Sequence, residues 1–128
     1  MIKSFKELIV WQKAMSLAEE IYRVAKKLPK EETFALGDQL RRASAAIPSN
    51  IAEGFGRRTK RDYASFLMIA RGSLFETETQ LLLCVRVRYL NESDIKPALA
   101  MLDEVGKMLN SVIAKLRSAS PQPPTPKT

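Results

Sequence analysis

The side chains that could do chemistry in this chain are glutamates, one cysteine and a cluster of cations, and the residue that most often completes such sites is missing. The chain of 128 residues contains no histidine. Glu53, Glu76 and Glu78 could suggest a metal or hydrolytic centre. General acid–base sites, zinc sites and Glu-x-x-His di-iron bundles draw on imidazole, and none is available. Cys84 lies in the apolar run LLLCV with no base to activate it, so it reads as a packed thiol rather than a nucleophile. Gly54-Phe55-Gly56 lacks the length and the Lys-Ser/Thr pair of a phosphate loop and reads as a helix stop. No cofactor, metal or catalytic residue is expected, and the chain reads as a non-enzyme.

The cations are different. Arg57, Arg58, Lys60 and Arg61 fall within five residues, flanked by Phe55 and Tyr63. Such a loop can grip phosphates, with aromatic rings beside it for bases to stack on. A solvated loop that serves only solubility is the plainer reading of the same residues. Lys and Arg number 21 against 14 Asp and Glu, a formal charge of +7. A balance of that size favours polyanionic partners such as RNA or DNA, or an acidic protein.

Helices must position these residues. Ser4 to Glu7 has the form of a capping box, and Leu8, Trp11, Met15, Ala18, Tyr22 and Ala25 follow it three and four apart, predicting a first helix that ends near Leu28-Pro29. A second helix is expected from about Thr33–Leu36 to Gly54, with Leu36, Leu40, Ala43, Ile47 and Ile51 on its apolar side. Pro48 has no N–H for the Ser44 carbonyl, so a kink or short break is expected near Ala46–Pro48. Thr59 to Asp62 repeats the start signal for a third helix that ends near Tyr89, carrying Tyr63, Leu67, Ala70, Leu74, Thr77, Leu81 and Cys84. It is the longest, at roughly 28 residues or about 42 Å. Asn91 to Asp94 caps a fourth, with Pro97 in its first turn and Leu99, Leu102, Val105, Leu109, Val112 or Ile113, and Leu116 inside.

Strand signals are absent, and short connections between long helices predict an all-α, antiparallel, up-down-up-down four-helix bundle over residues 1–117. The Pro-rich segment 118–128 reads as a disordered tail. No apolar run reaches the length of a membrane span, and the lone cysteine favours the cytoplasm.

The third helix has a second stripe of Phe66, Ile69, Ser73, Glu76, Gln80, Leu83 and Val87, more apolar surface than one bundle face needs. Either a central position for this helix or a subunit interface is the expectation. Its polar members need partners, and Arg41, Arg42, Asn50, Glu53, Arg71 and Glu76 are candidates for a structural polar network between helices two and three.

Three blocks, LIVWQKAMSLAEEIY, LPKEETFALGDQLRRASAAIPSNIAEGFGRR and FLMIARGSLFETETQLLL, resemble the signature blocks of the 23S rRNA intervening-sequence protein family across about residues 5–117. The matching positions are Trp11, Pro29, Gln39, Arg42, Ala43, Ile47, Pro48, Asn50, Ile51, Ala52, Glu53, Gly54, Arg57, Leu67, Ala70, Gly72, Ser73, Glu76 and Glu78. Ala46 stands where the family usually has Ser. The resemblance implies a small cytosolic four-helix bundle that assembles as a homopentameric ring. A more distant similarity, to the accessory protein of diversity-generating retroelements, implies nucleic acid as a partner. An interaction scaffold that binds another protein is the alternative.

Overall fold

The computed structural model describes residues 1–118 of the chain, so the predicted tail from 119 onward lies outside the described residues. Four α-helices account for the fold: α1 (Ile9–Ala25), α2 (Leu36–Phe55), α3 (Lys60–Arg86) and α4 (Glu92–Ser118). Two short 3-10 turns, Phe5–Glu7 and Lys30–Glu32, precede α1 and α2. Each helix packs on its sequence neighbours, and α4 closes the bundle against α1. No strand occurs among the described residues.

Cross-helix pairs set the directions. Lys27 meets Asp94 and Lys13 meets Glu104, so α4 runs antiparallel to α1. Arg71 bonds Asn110 and Leu74 sits beside Gly106, so α3 and α4 are antiparallel too. Gly54 faces Phe66 while Gln39 faces Gln80, so α2 and α3 are antiparallel as well.

The expected stripes of α2, α3 and α4 form the core, with Leu40, Ile47, Ile51, Leu67, Leu81, Leu102 and Leu109 almost fully buried. The stripe that predicted α1 lies mostly outside that core, with Ala25 its one buried member. Val10, Ala14, Leu17, Ile21 and Val24 face the core, while Met15 and Tyr22 are exposed and Trp11 and Ala18 only half-buried. Both sets recur three and four apart, so α1 is apolar on two faces and periodicity alone does not rank them. The Ser4–Glu7 box is real, with the Ser4 N–H donating to Glu7 Oε2 at 2.9 Å, but it caps the 3-10 turn rather than α1. Leu8 is extended, and the chain re-enters helix at Ile9. That bend brings Phe5 edge-on to Trp11, with ring centroids 5.2 Å apart.

Pro48 does not break α2, which is helical from Leu36 to Phe55. The side chains of Ser49 and Asn50 donate to the carbonyls of Ala45 and Ala46 at 2.8 Å, giving carbonyls next to the lost backbone bond extra donors. Pro97 is also a small correction, standing sixth in α4 and so beyond its first turn. At the end of α3, Arg88 adopts φ 67°. The N–H groups of Tyr89 and Arg88 donate back to the carbonyls of Cys84 and Val85 at 2.9 and 3.0 Å, a Schellman stop with arginine where glycine is usual.

Candidate nucleic-acid interface

The cationic loop joins α2 to α3 at one end of the bundle. Gly54 makes that junction possible. A Cβ there would lie 2.8 Å from Phe66 Cβ and 3.2 Å from the Tyr63 carbonyl oxygen, so only a glycine lets the two helices approach this closely. Its part differs from the expected helix stop, because it is buried inside α2 and Gly56 caps the helix at φ −78°. The Thr59 side chain then accepts from the Asp62 N–H at 3.0 Å and starts α3. Asp62 also places a negative charge at the positive end of the helix dipole.

Arg57, Arg58, Lys60 and Arg61 are all exposed, and none forms an ion pair among the described residues. Arg57 has an intramolecular task, since its guanidinium carbon lies 4.5 Å from the centroid of the Phe66 ring. The aromatic residues beside the loop are committed too. Phe55 and Tyr63 pack edge-to-face at 6.1 Å, and burial pushes the Tyr63 hydroxyl above its ordinary pKa. They fix the loop's base, and the phosphate-gripping part of the expectation is what the geometry leaves available.

Helix directions bring further cations to this end. Asn110 is level with Arg71, so Arg117, seven residues on, is level with Ala64 and about one turn from Lys60. Lys115 and Arg117 therefore stand beside the loop. The 3-10 turn packs on α2, placing exposed Lys6 at the same end. These cations were not singled out in the sequence, because they are distant in the chain and only the antiparallel order gathers them.

The six residues expected to form a polar network go to separate partners. Arg41 donates to Asp38 at 2.6 Å and to the Thr33 carbonyl at 2.7 Å. Arg71 reaches across to Asn110 on α4 at 2.9 Å, and Asn50 bonds within its own helix. Arg42 and Glu53 are exposed. At the α2–α3 seam Gln80 donates to Gln39 at 3.3 Å and to Glu76 at 3.4 Å, an amide link in place of the anticipated ion pairs. The Gln80 Oε1 atom is buried and has no hydrogen-bond partner among the described residues.

The enzymatic features stay apart. No group of His, Cys, Asp or Glu with metal-binding geometry occurs among the described residues. Cys84 is buried, and that burial, followed by the nearby Glu32 charge, raises its thiol pKa away from the reactive thiolate. No helix among the described residues is long and apolar enough to cross a membrane.

A second concave surface lies outside the core between α1 and α2. It has a volume of about 540 Å³ and is lined by Trp11, Met15, Ala18 and Tyr22 of α1 and by Ala45, Pro48, Ser49 and Ala52 of α2. Trp11, Met15, Ala18 and Tyr22 of the stripe that predicted α1 form one side of it.

Comparison with known proteins places these features in a family. A crystal structure of a protein of unknown function from the S23 ribosomal protein family of Bacteroides thetaiotaomicron VPI-5482 superposes with a TM-score of 0.76 at 27% identity, covering 82% of this chain and 98% of that one. No curated protein matches the chain. Neither the family nor this neighbour indicates an enzyme. The family model described as 23S rRNA-intervening sequence protein matches residues 6–111, and the chain belongs to that family.

Proposed function

We propose that the chain is a non-enzymatic, cytoplasmic, homo-oligomeric bundle, a pentameric ring as the family resemblance implies, that binds structured RNA with its α2–α3 loop end. One observation carries the reading: Arg57 and Arg58 on the α2–α3 loop and Lys60 and Arg61 in the first turn of α3 stand exposed and without acidic partners among the described residues, beside a backbone fixed by Gly54, Thr59 and the Phe55–Tyr63 pair. Rigid presentation of cations suits a partner whose charges are also fixed in space. In a ring the loop recurs once per subunit, so weak phosphate contacts add through multivalency. The word rRNA in the family's description is what favours RNA over DNA in this reading. Binding of an RNA hairpin, followed by fluorescence anisotropy, should weaken steeply with salt and vanish when Arg57, Arg58, Lys60 and Arg61 are all changed to Glu. Affinity untouched by that change in a folded protein would remove the loop from the function.

A protein-interaction scaffold is the second reading. It is favoured by apolar surface left on the outside of the bundle, with Ile69, Phe75, Leu82 and Leu83 on α3 and Val87 at its C-cap each between 44% and 55% exposed.

A further inference from the structure

We infer that the basic end of the bundle binds base-paired RNA through its phosphates, indifferent to sequence, and discriminates against unpaired strands. The inference rests on the RNA reading above and names the class of RNA that suits it. Aromatic side chains decide the matter, because proteins that hold single strands couple their cations to rings on which bases stack.

The rings at this end are already engaged. Phe55 and Tyr63 meet edge to face with centroids 6.1 Å apart, Phe66 carries the Arg57 guanidinium carbon 4.5 Å from its centroid, and Phe5 lies edge-on to Trp11 at 5.2 Å. All of these rings are partly buried. A base would stack there only by displacing a neighbour that holds the loop or the N-terminal turn in place. The exposed aromatic residues among those described are Tyr22, Phe34 and Phe75. Phe75 stands about four turns along α3 from Lys60, roughly 22 Å away, and Tyr22 and Phe34 lie towards the opposite end of the bundle.

What this end offers is charge, and the charge comes from more than one helix. Lys60 and Arg61 open α3, Lys115 and Arg117 close α4, and Arg57 and Arg58 lie between α2 and α3, all of them exposed. Axes of packed helices are about 8–10 Å apart, so these cations form a broad patch rather than a single file. One strand follows a file, whereas the two backbones of a duplex, held apart by their base pairs, meet a patch. A duplex also carries more charge per unit length, and cations without stacking rings respond to charge density. The cations outnumber the acids close by, Glu7, Glu53 and Asp62, and Glu7 accepts from the Lys3 and Ser4 N–H groups at 2.7 and 2.9 Å.

Indifference to sequence follows from the same geometry. A-form RNA closes its deep major groove to side chains and shows backbone and 2′-hydroxyls across a shallow minor groove. Helix ends and a short loop reach phosphates on that surface without entering a groove, so base edges contribute nothing to the choice.

Fluorescence anisotropy with three labelled probes tests it: an RNA strand of about 20 nucleotides without self-complementarity, the same strand annealed to its complement, and a second duplex of unrelated sequence. At about 0.1 M salt the two duplexes should bind alike, and at least about 10-fold tighter than the single strand. Replacing both Lys115 and Arg117 by Ala should make the slope of log affinity against log salt shallower by about two for the duplexes. Both positions are exposed, so circular dichroism should show unchanged helix content. A single strand bound as tightly as the duplexes, or one duplex strongly preferred to the other, overturns the inference while RNA binding by the loop stands. An unchanged slope in the folded double variant overturns the argument from a patch shared with α4. No binding of any probe by the wild type overturns the RNA reading beneath it as well.

Discussion

The two ends of the bundle differ in how many of their cations they pair. Where α1 meets α4 and α2 begins, Lys27 pairs with Asp94 at 3.3 Å, Arg41 with Asp38 at 2.6 Å and Arg23 with Glu20 at 2.7 Å. At the α2–α3 loop end, Arg57, Arg58, Lys60 and Arg61 have no such partners among the described residues, and Lys115 and Arg117 arrive beside them from α4. Partly exposed pairs contribute only about 0–1 kcal/mol each, so the difference says little about which end is more stable. It says how much of its charge each end leaves unpaired. The far end pairs three of its cations and leaves Lys26, Lys30, Arg86, Arg88 and Lys96 exposed outside any ion pair among the described residues, whereas the loop end pairs none of its four.

Charge reversal should separate the ends most sharply. Changing Arg57, Arg58, Lys60 and Arg61 to Glu should lower RNA affinity by about 100-fold or more near physiological salt, because each lost phosphate contact forfeits the release of its counterions. Changing Arg23, Lys27 and Arg41 to Glu should leave affinity nearly unchanged and lower the melting temperature instead. Equal losses from the two triple and quadruple variants would erase the distinction.

The loop end is held by close helix approach rather than by ion pairs, and Gly54→Ala should expose that. A Cβ 2.8 Å from Phe66 Cβ forces α2 and α3 apart, at a cost of about 1–3 kcal/mol in chemical denaturation. Unchanged stability would mean the helices part there without strain. At the other end the strain lies in the chain itself. Arg88 occupies the left-handed region, so Arg88→Gly should stabilise the protein by up to about 1 kcal/mol. Loss of stability would show that the arginine side chain contributes more than its backbone costs.

The smallest effect is a pH dependence at the end where Lys27 pairs with Asp94. The N–H of Asn91 and then Lys27 hold the Asp94 carboxyl below the usual carboxylate range, against an opposing push from partial desolvation. A lowered folded-state pKa means the contribution is complete above the unfolded pKa of about 3.9 and is lost as pH falls through the folded value. Asp94→Asn should therefore flatten the acid limb of a plot of melting temperature against pH. An identical limb in the variant would assign it to other carboxylates.

Much of this contrast was legible in the sequence, but unevenly. Thr59 and Asp62 marked the start of α3, and the cationic run beside them was visible as a run because its members are adjacent in the chain. Lys115 and Arg117 were not visible as part of it, since only antiparallel packing brings the end of α4 to the loop. The same limit explains α1. Trp11, Met15 and Tyr22 have the spacing of a core stripe, and so do Val10, Ala14, Leu17, Ile21 and Val24. Which set turns inward depends on how the other three helices surround the first. The network expected around Arg41, Arg42, Asn50, Glu53, Arg71 and Glu76 dispersed for a related reason. Long polar side chains take partners within reach, such as Asp38 one turn away or Asn110 across a seam, and residue type alone does not specify those partners. Gly54 looked like a helix stop because glycine often is one. Its packing role depends on a backbone-to-backbone distance that spacing does not encode.

The most direct measurement is crosslinking in the native cell, followed by purification and sequencing of bound RNA, for the wild type, the loop-end reversal and the far-end reversal in parallel. Defined RNAs enriched with the wild type and the far-end variant, and lost with the loop-end variant, are the expected result. No enrichment over background with the wild type, or enrichment that survives reversal of Arg57, Arg58, Lys60 and Arg61, would contradict RNA binding by that end of the bundle.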